Sequence, residues 1–161
     1  LSREDAINYG VTGPSGRGSG WACDVRKRSP YAAYDKVQFD EVLYNEGDSY
    51  ARYMVRMKEI EQSLHILEQL VDNIPEGDYL AKTKPIIKVP EGRYFKEVEA
   101  ARGAFGIYLE SRGDKFPYRL KVNSPGFNLV GAVDHMTRGS KIADLIAIGG
   151  SLDYVVPDID R

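Results

Sequence analysis

The stretch from Asp48 to Ile74 carries the strongest structural signal in this chain. Its apolar and aromatic residues recur every three to four positions, which is the period of an amphipathic helix. They are Tyr50, Tyr53, Met54, Met57, Ile60, Leu64, Leu67, Leu70, Val71 and Ile74. Asp48 or Ser49 can cap the helix, and Pro75 stops it. A helix over about 49–74 would be about 39 Å long, which suits a bundle helix whose apolar stripe faces a core.

The overall composition is typical of a globular protein. The chain has 161 residues, of which 42% are hydrophobic and 29% are charged, enough for one domain or for part of a larger one. Its net charge of −2 argues against a general nucleic-acid binder. No apolar run approaches the roughly 20 residues that span a bilayer. The single cysteine, Cys23, excludes an internal disulfide and a four-thiolate cluster supplied by this chain alone.

Shorter signals on both sides of the long helix predict an α+β protein. Ser2 and Gly10 are typical of the two ends of a short helix. The other expected elements are a glycine-rich loop at 12–20, irregular structure at 21–47, a connector at 76–92, a strand at 94–99, a β-hairpin at about 104–122, and two helical pieces within 127–148.

The glycine-rich loop from Thr12 to Gly20 first suggests a phosphate-binding turn, but its details do not fit. A P-loop needs Lys followed by Ser or Thr after its last glycine, whereas Gly20 is followed by Trp21. The dinucleotide-binding pattern needs glycines in another spacing after a strand. We therefore expect a loop that allows close backbone packing and orients Arg17.

Two further charged segments have competing interpretations. Arg102 lies between two predicted strands, where it can enter a crevice or, more simply, form a surface ion pair. The C-terminal tail alternates apolar residues with Asp153, Asp158 and Asp160 and ends at Arg161. We expect a buried tail that folds back onto the protein. A metal site of oxygen ligands is conceivable there, but carboxylates paired with buried arginines are a simpler explanation.

Taken in order, the motifs resemble one family, the quinone-site (D) subunit of respiratory complex I, the NADH:quinone oxidoreductase. The resemblance covers nearly the whole chain and corresponds to the C-terminal part of a single larger domain of that subunit. The matching stretches are Gly10–Pro14 with Arg17–Gly20, Asp24–Lys27 with Pro30, Tyr31 and Tyr34, Gly47–Arg56, Gln62–Leu64, Val98–Tyr108, Pro117–Lys121, and Ala143–Asp144 continuing to Arg161.

That family is similar in turn to the large subunit of nickel–iron hydrogenases, and the resemblance implies a hydrogenase-like fold. The hydrogenase chain ends in D-P-C-x-x-C-x-x-H. Here Asp153 keeps the aspartate, Val155 and Asp158 stand at the cysteine positions, and Arg161 stands at the histidine position. Without thiolates we expect no metal. Arg102 corresponds to the arginine of the hydrogenase E-x-P-R-G motif, with Ala101 in place of its proline.

The resemblance implies a subunit without a redox cofactor of its own. Quinone would be the substrate, held in a cavity near Asp153 and Val155, beside the terminal iron–sulfur cluster of the neighbouring B subunit. Arg17, Arg102 and Arg161 would supply positive charge near the cluster or the reduced quinone.

The expected partners are other parts of complex I, namely the B subunit with its terminal cluster, the C subunit and the membrane-arm subunit at the quinone entrance, with no nucleic acid. The expected location is peripheral, on the cytoplasmic side of the bacterial inner membrane, and the isolated chain should be inactive. The alternative is a structural docking or assembly domain without direct quinone contact.

Overall fold

The computed structural model describes residues 1–160 and confirms the α+β class. The helices and strands follow one another in this order: α1 (Arg3–Tyr9), α2 (Gly13–Arg17), α3 (Val25–Arg28), α4 (Ser49–Val71), β1 (Gly92–Ala100), β2 (Gly103–Ser111), β3 (Arg119–Asn123), α5 (Pro125–Gly131), α6 (Val133–Thr137), α7 (Ile142–Leu152) and a 3₁₀ helix (Val156–Asp158).

The three strands form an antiparallel sheet in the order β1-β2-β3. The predicted hairpin is therefore present, although β3 begins at Arg119, after Pro117, which lacks the N–H that a strand residue donates. The register pairs Ala100 with Gly103, so only two residues turn β1 into β2. This turn carries Arg102.

The two ends of α1 agree with the sequence prediction. Ser2 Oγ accepts a hydrogen bond from the backbone N–H of Asp5 over 3.1 Å, and Gly10 has the left-handed conformation (φ +67°) that ends many helices. The prediction of a loop at 12–20 was wrong for Gly13–Arg17, which form the short helix α2. Pro14 stabilises such a first turn because its fixed φ suits a helix and its missing N–H is not needed there.

The predictions of irregular structure at 21–47 and of two helical pieces after 127 were also incomplete. Asp24 caps the single helical turn α3 by accepting the N–H of Arg26 over 2.9 Å. Residues 125–152 form three helices rather than two, because α5 already begins at Pro125, directly after its cap Ser124. Both α3 and α5 begin at a side-chain cap that provides one of the missing hydrogen-bond partners.

The buried core lies between α1, α5 and the end of α7. Its fully buried members are Ala6, Val11, Leu129, Ala132 and Leu152. Leu152 fixes the start of the tail in this core, and Tyr154 packs against it. Beyond that point the prediction of a buried tail was wrong in part, since Val155 is half-buried and Val156 is 66% exposed.

The long helix α4 runs from Ser49 to Val71, so the predicted end at residue 74 was about one turn too late. Asp48 caps it, accepting the N–H of Ala51 over 2.7 Å. The expectation that its apolar stripe faces the core was wrong within this chain. Eight of the ten stripe residues are 43% to 73% exposed. The helix instead packs through a second face that includes Arg52, Val55 and Ile66.

Hydropathy gives a separate result for the described residues. Among the helices in residues 1–160, none is both long and apolar enough to cross a membrane. The longest, α4, carries several charged residues along its length.

A first prediction concerns the core. Leu129→Ala removes most of a side chain that is 0% exposed. The surrounding side chains would relax only partly into the cavity that it leaves. We expect the free energy of unfolding to fall by about 2–5 kcal/mol, measured by urea denaturation. The control Leu80→Ala, at a position that is 70% exposed, should change it by less than about 0.5 kcal/mol. Equal effects of the two substitutions would contradict this core.

Candidate functional site

The site is built on a close contact between the start of α2 and the β1–β2 turn. A Cβ atom on Gly13 would lie 2.5 Å from the carbonyl oxygen of Arg102 and 2.5 Å from the Cα of Gly103. Thr12 Oγ1 also accepts the N–H of Ala104 over 2.9 Å. Only glycine permits this approach, which places the glycine-rich segment directly against the turn that carries Arg102.

Arg17, at the end of α2, is clamped between two carboxylates. Its Nε donates to Glu59 Oε1 on α4 over 2.6 Å, and its Nη1 donates to Glu99 Oε1 on β1 over 2.7 Å. Burial by itself would lower the pKa of Arg17, but the ion pairs with Glu59 and Glu99 raise it above the ordinary value. The positive charge of Arg17 is therefore neutralised within the chain.

Glu99 links this clamp to α3. Its second oxygen accepts the N–H of Val25 over 3.0 Å, and its own N–H donates to the hydroxyl of Tyr31 over 3.0 Å. Burial raises the pKa of Glu99, while Arg17 and the N–H of Val25 oppose that shift. The carboxylate is thus held by charge-assisted hydrogen bonds in a place where water contributes little.

Arg52 and Arg56 bring further positive charge to the inner face of α4. Arg52 is 1% exposed and donates to three neutral acceptors: Ser151 Oγ (2.9 Å), the Gly47 carbonyl (3.0 Å) and Ser49 Oγ (3.0 Å). Within residues 1–160, no carboxylate lies at ion-pair distance from it. Burial and the charge of Arg56 lower the pKa of Arg52 to about 10, with Asp48 opposing. Arg52 therefore stays charged at neutral pH.

Arg56 lies between opposing charges and is half-buried. Burial lowers its pKa, and Arg17 and Arg102 act in the same direction, while Asp153 and Glu59 oppose them. Its Nη1 donates to the carbonyl of Arg52 over 3.0 Å. The cluster therefore contains four arginines (17, 52, 56 and 102) and four carboxylates (48, 59, 99 and 153), and Arg52 and Arg56 are the arginines in it that have no carboxylate at ion-pair distance among residues 1–160.

Arg102 and Asp153 meet at the junction of the β1–β2 turn with the end of α7. Arg102 Nε donates to the carbonyl oxygen of Asp153 over 2.6 Å and lies 3.4 Å from its carboxylate. Asp153 ends α7 in the left-handed conformation, with φ +56°. Both side chains stay partly exposed, at 33% and 46%. This pair thus lies at the accessible edge of an otherwise buried charge cluster.

The other predicted tail residues are placed differently. Ser124 Oγ, which also caps α5, donates to Asp158 Oδ2, so Asp158 fastens the tail to the start of that helix. Val155 is half-buried just before the 3₁₀ helix. Arg161 lies outside the described residues. Asp153 and Arg102 are therefore in contact, whereas Asp158 has a separate partner.

Clefts and possible metal sites add two observations. An apolar cleft of about 400 Å³ lies between residues 32–37 and α4, and its lining includes Tyr34, Val37, Ile66 and Leu70. It contains none of the predicted site residues. Across residues 1–160, no three His, Cys, Asp or Glu side chains are grouped so that they could hold a metal ion.

Sequence reasoning gave no individual role to Arg52, Arg56 or Glu59. The available signal was their spacing, because residues four and three positions apart share one face of a helix. On a helical wheel they fall at the flank of the apolar stripe, where charged residues are usually solvated. Only the contacts with Arg17 and Ser151 show that this face is the buried one.

Comparison with known proteins defines the class of protein. The family described as respiratory-chain NADH dehydrogenase, 49 Kd subunit, matches residues 1–161. The chain belongs to this family.

Curated relatives agree with this assignment. The chain is 69% identical to the C/D subunit of NADH-quinone oxidoreductase from Bacteroides fragilis, and this match covers 30% of that relative. It is 67% identical to the C/D subunit from Phocaeicola vulgatus, and this match covers 31% of that relative. Both matches cover the whole of this chain. It is 54% identical to the D subunit from Desulfotalea psychrophila, again over its whole length and over 44% of that protein. The chain thus spans less than half the length of these relatives.

A second prediction separates steric packing from backbone strain. Gly13 and Gly113 both have positive φ values (+68° and +81°), but a Cβ on Gly113 would meet nothing within 4 Å. Gly113→Ala should cost about 1–2 kcal/mol of stability from the strained backbone alone. Gly13→Ala should cost clearly more, because its methyl group would also displace the Arg102–Gly103 turn. Equal losses in thermal denaturation would contradict the close contact.

A third prediction concerns Cys23, which is 1% exposed. Burial raises the pKa of this thiol to about 12. The charges of Glu99 and Glu41 add to that shift, whereas Arg17 and the Gly13 backbone oppose it. We expect no alkylation of Cys23 by iodoacetamide at pH 8 in the folded protein, because the thiolate is the reactive form. Rapid labelling should follow in denaturant, with peptide mass spectrometry as the readout. Rapid labelling of the folded protein would contradict the burial of this thiol.

Proposed function

We propose that this chain is the C-terminal part of a single larger domain in the D subunit of NADH:quinone oxidoreductase and forms part of its quinone-binding cavity. In that role it lies next to the terminal iron–sulfur cluster of the neighbouring subunit, in proton-pumping electron transfer from NADH to quinone. The observation that carries this proposal is the Arg102–Asp153 pair at the accessible edge of a cluster in which Arg52 and Arg56 have no carboxylate at ion-pair distance among residues 1–160. The names of the relatives, NADH-quinone oxidoreductase subunits, support it.

The charge cluster suits the reduction of a quinone. A quinone that accepts electrons gains negative charge, and fixed positive groups in a site with little water stabilise that charge. Arg17 contributes little to this potential because Glu59 and Glu99 neutralise it. Arg52 and Arg56 contribute more, since neither has a carboxylate partner at ion-pair distance among residues 1–160. Arg102 then orients the turn at Asp153 and brings its own charge to the edge.

The chain itself supplies cavity wall and charge, while the redox groups belong to other subunits. We assign the terminal iron–sulfur cluster to the B subunit, and we expect the C subunit and the membrane-arm subunit at the quinone entrance as further partners. Because several relatives are named as C/D subunits, the C partner would in that case be a segment of the same protein chain rather than a separate subunit. We place the protein on the cytoplasmic side of the bacterial inner membrane, as a peripheral part of the complex.

A second candidate function is docking or assembly without direct quinone contact. The exposed apolar stripe of α4 favours it, because side chains such as Leu64 and Leu67 present an apolar surface of the kind that partner proteins cover. In that case the charge cluster would serve only to hold α2, α4 and β1 together.

A fourth prediction separates the two functions in the intact complex. Asp153→Asn removes the negative charge at nearly constant side-chain size, and Arg102→Lys keeps the positive charge but removes the guanidinium nitrogens that contact Asp153. We expect quinone reductase activity to fall roughly a hundredfold while the complex still assembles, as judged by native electrophoresis. The matched controls Asp134→Asn and Arg138→Lys alter an exposed ion pair between α6 and the residue that follows this helix. They should leave activity unchanged.

The other possible outcomes are also decisive. Failed assembly of the Asp153 and Arg102 variants, with normal assembly of the controls, would favour the docking function. Full activity in both pairs of variants would exclude a role of the Arg102–Asp153 pair in quinone reduction.

A further inference from the structure

The buried side chain of Arg52 connects the start of α4 to the end of α7. Its Nε donates to Ser151 Oγ over 2.9 Å, while its Nη1 and Nη2 donate to the Gly47 carbonyl and to Ser49 Oγ, each over 3.0 Å. Ser151 follows Arg52 by 99 residues and lies in the last turn of α7. One guanidinium thus joins two helix ends that are distant in sequence.

This contact is held in place because the aliphatic part of Arg52 is enclosed as well. The residue is 1% exposed, and a Cβ on Gly18 would lie 3.2 Å from both Cγ and the backbone nitrogen of Arg52. Gly18 follows α2, and its carbonyl accepts the N–H of Gly47 over 2.9 Å. The side chain of Arg52 therefore has little room to turn away from Ser151.

Ser151 passes the constraint to the backbone at the end of α7. Its hydroxyl accepts from Arg52 and donates to the carbonyl of Ile148 over 2.7 Å. The next residue, Leu152, is 0% exposed and belongs to the buried core. The last turn of α7 is thus fixed on two sides, by the core at Leu152 and by Arg52 at Ser151.

Asp153, which follows directly, depends on such support because of its backbone. Among residues 1–160, Asp153 and Ala32 are the two non-glycine residues with positive φ, a conformation that is costly for a residue with a Cβ atom. The N–H of Asp153 donates to the Gly149 carbonyl over 3.2 Å, which is at the long end of the usual range. This same conformation lets the carbonyl and the carboxylate of Asp153 both face Arg102.

The charge of Arg52 also suits its place. The last carbonyl groups of a helix carry partial negative charge, which a cation near the helix C-terminus stabilises. Arg52 binds neutral acceptors and has no carboxylate at ion-pair distance among residues 1–160. Its charge can therefore act on the end of α7.

We propose that Arg52 is a positioning residue for quinone reduction. Through Ser151 it holds the end of α7, so that Asp153 keeps the left-handed backbone that faces Arg102. This role rests on the proposed function of the Arg102–Asp153 pair. It differs from simple fastening of α4 to α7, because fastening alone would act on stability and assembly and leave the turnover of the assembled complex unchanged.

A fifth prediction tests Ser151, the link between Arg52 and Asp153, in the intact complex. Ser151→Ala removes the acceptor of Arg52 Nε without changing any charge. We expect the kcat of quinone reduction per assembled complex to fall roughly tenfold, the order expected when one hydrogen bond to a charged group is lost. The KM for quinone should change little, because the quinone gains negative charge only as it is reduced. Ser151→Thr keeps the hydroxyl and should keep the kcat of the parent.

Thr137→Val is the matched control. It removes a half-buried hydroxyl that donates to the carbonyl of Val133 on α6 over 2.9 Å, and it should leave both kcat and KM unchanged. Normal kcat in Ser151→Ala, or equal losses in Ser151→Ala and Thr137→Val, would overturn the proposal. So would a loss of assembled complex in Ser151→Ala with normal kcat for the complex that does assemble.

Double variants test whether the three residues act in one line. Arg52→Lys keeps the charge but lacks the guanidinium fork that reaches three acceptors at once. Adding Ser151→Ala to Arg52→Lys, or to Asp153→Asn, should lower kcat little further, because residues that act as a unit are not additive. Losses that multiply would overturn the proposal, since Arg52 and Ser151 would then act independently of Asp153.

These outcomes also distinguish this proposal from the proposed quinone site. If Asp153→Asn lowers activity and Ser151→Ala does not, only the role of Arg52 fails. If Asp153→Asn keeps full activity, the role of the Arg102–Asp153 pair fails, and the role of Arg52 fails with it.

Discussion

The ion pairs of Arg17 determine how the main elements of this chain meet. Arg17 on α2 binds Glu59, which lies 42 residues away, and Glu99, which lies 82 residues away. Removing one partner from a buried ion pair typically costs about 3–5 kcal/mol, since the other charge then stays buried without compensation. The positions of α2, α4 and β1 are therefore coupled. Any arrangement of these elements has to keep Glu59 and Glu99 within reach of one guanidinium.

This constraint explains why α4 packs against the protein through the face that carries Arg52 and Val55. Because Glu59 must reach Arg17, the face that also carries Arg52, Val55 and Arg56 turns toward the protein. The apolar stripe then points outward. Hydrophobic periodicity showed correctly that α4 is amphipathic, but periodicity cannot show which neighbours each face meets. That information lies in contacts with residues far away in sequence, such as the bond from Arg52 to Ser151.

Local signals predicted the elements that local physics determines. The caps at Ser2 and Asp48 and the β2–β3 hairpin follow from nearby residues, and the structure has all three. The role of Gly13 could not be predicted in the same way, because the backbone that excludes a side chain there belongs to Arg102 and Gly103. Likewise the sequence singled out Arg17, Arg102 and Asp153 but not their pairing. Arg17 proves to be paired with Glu59 and Glu99, whereas Arg52 and Arg56 have no carboxylate at ion-pair distance among residues 1–160.

The conformation of Asp153 connects the fold to the proposed site. Left-handed backbone is costly for most residues, and Asp and Asn tolerate it best after glycine. In this conformation Asp153 presents both its carbonyl and its carboxylate to Arg102. An asparagine could keep the backbone and the carbonyl contact but would bring no negative charge. Either Asp or Asn could thus adopt the backbone conformation and make the carbonyl contact at position 153. Only the carboxylate of aspartate balances the positive charges of Arg56 and Arg102.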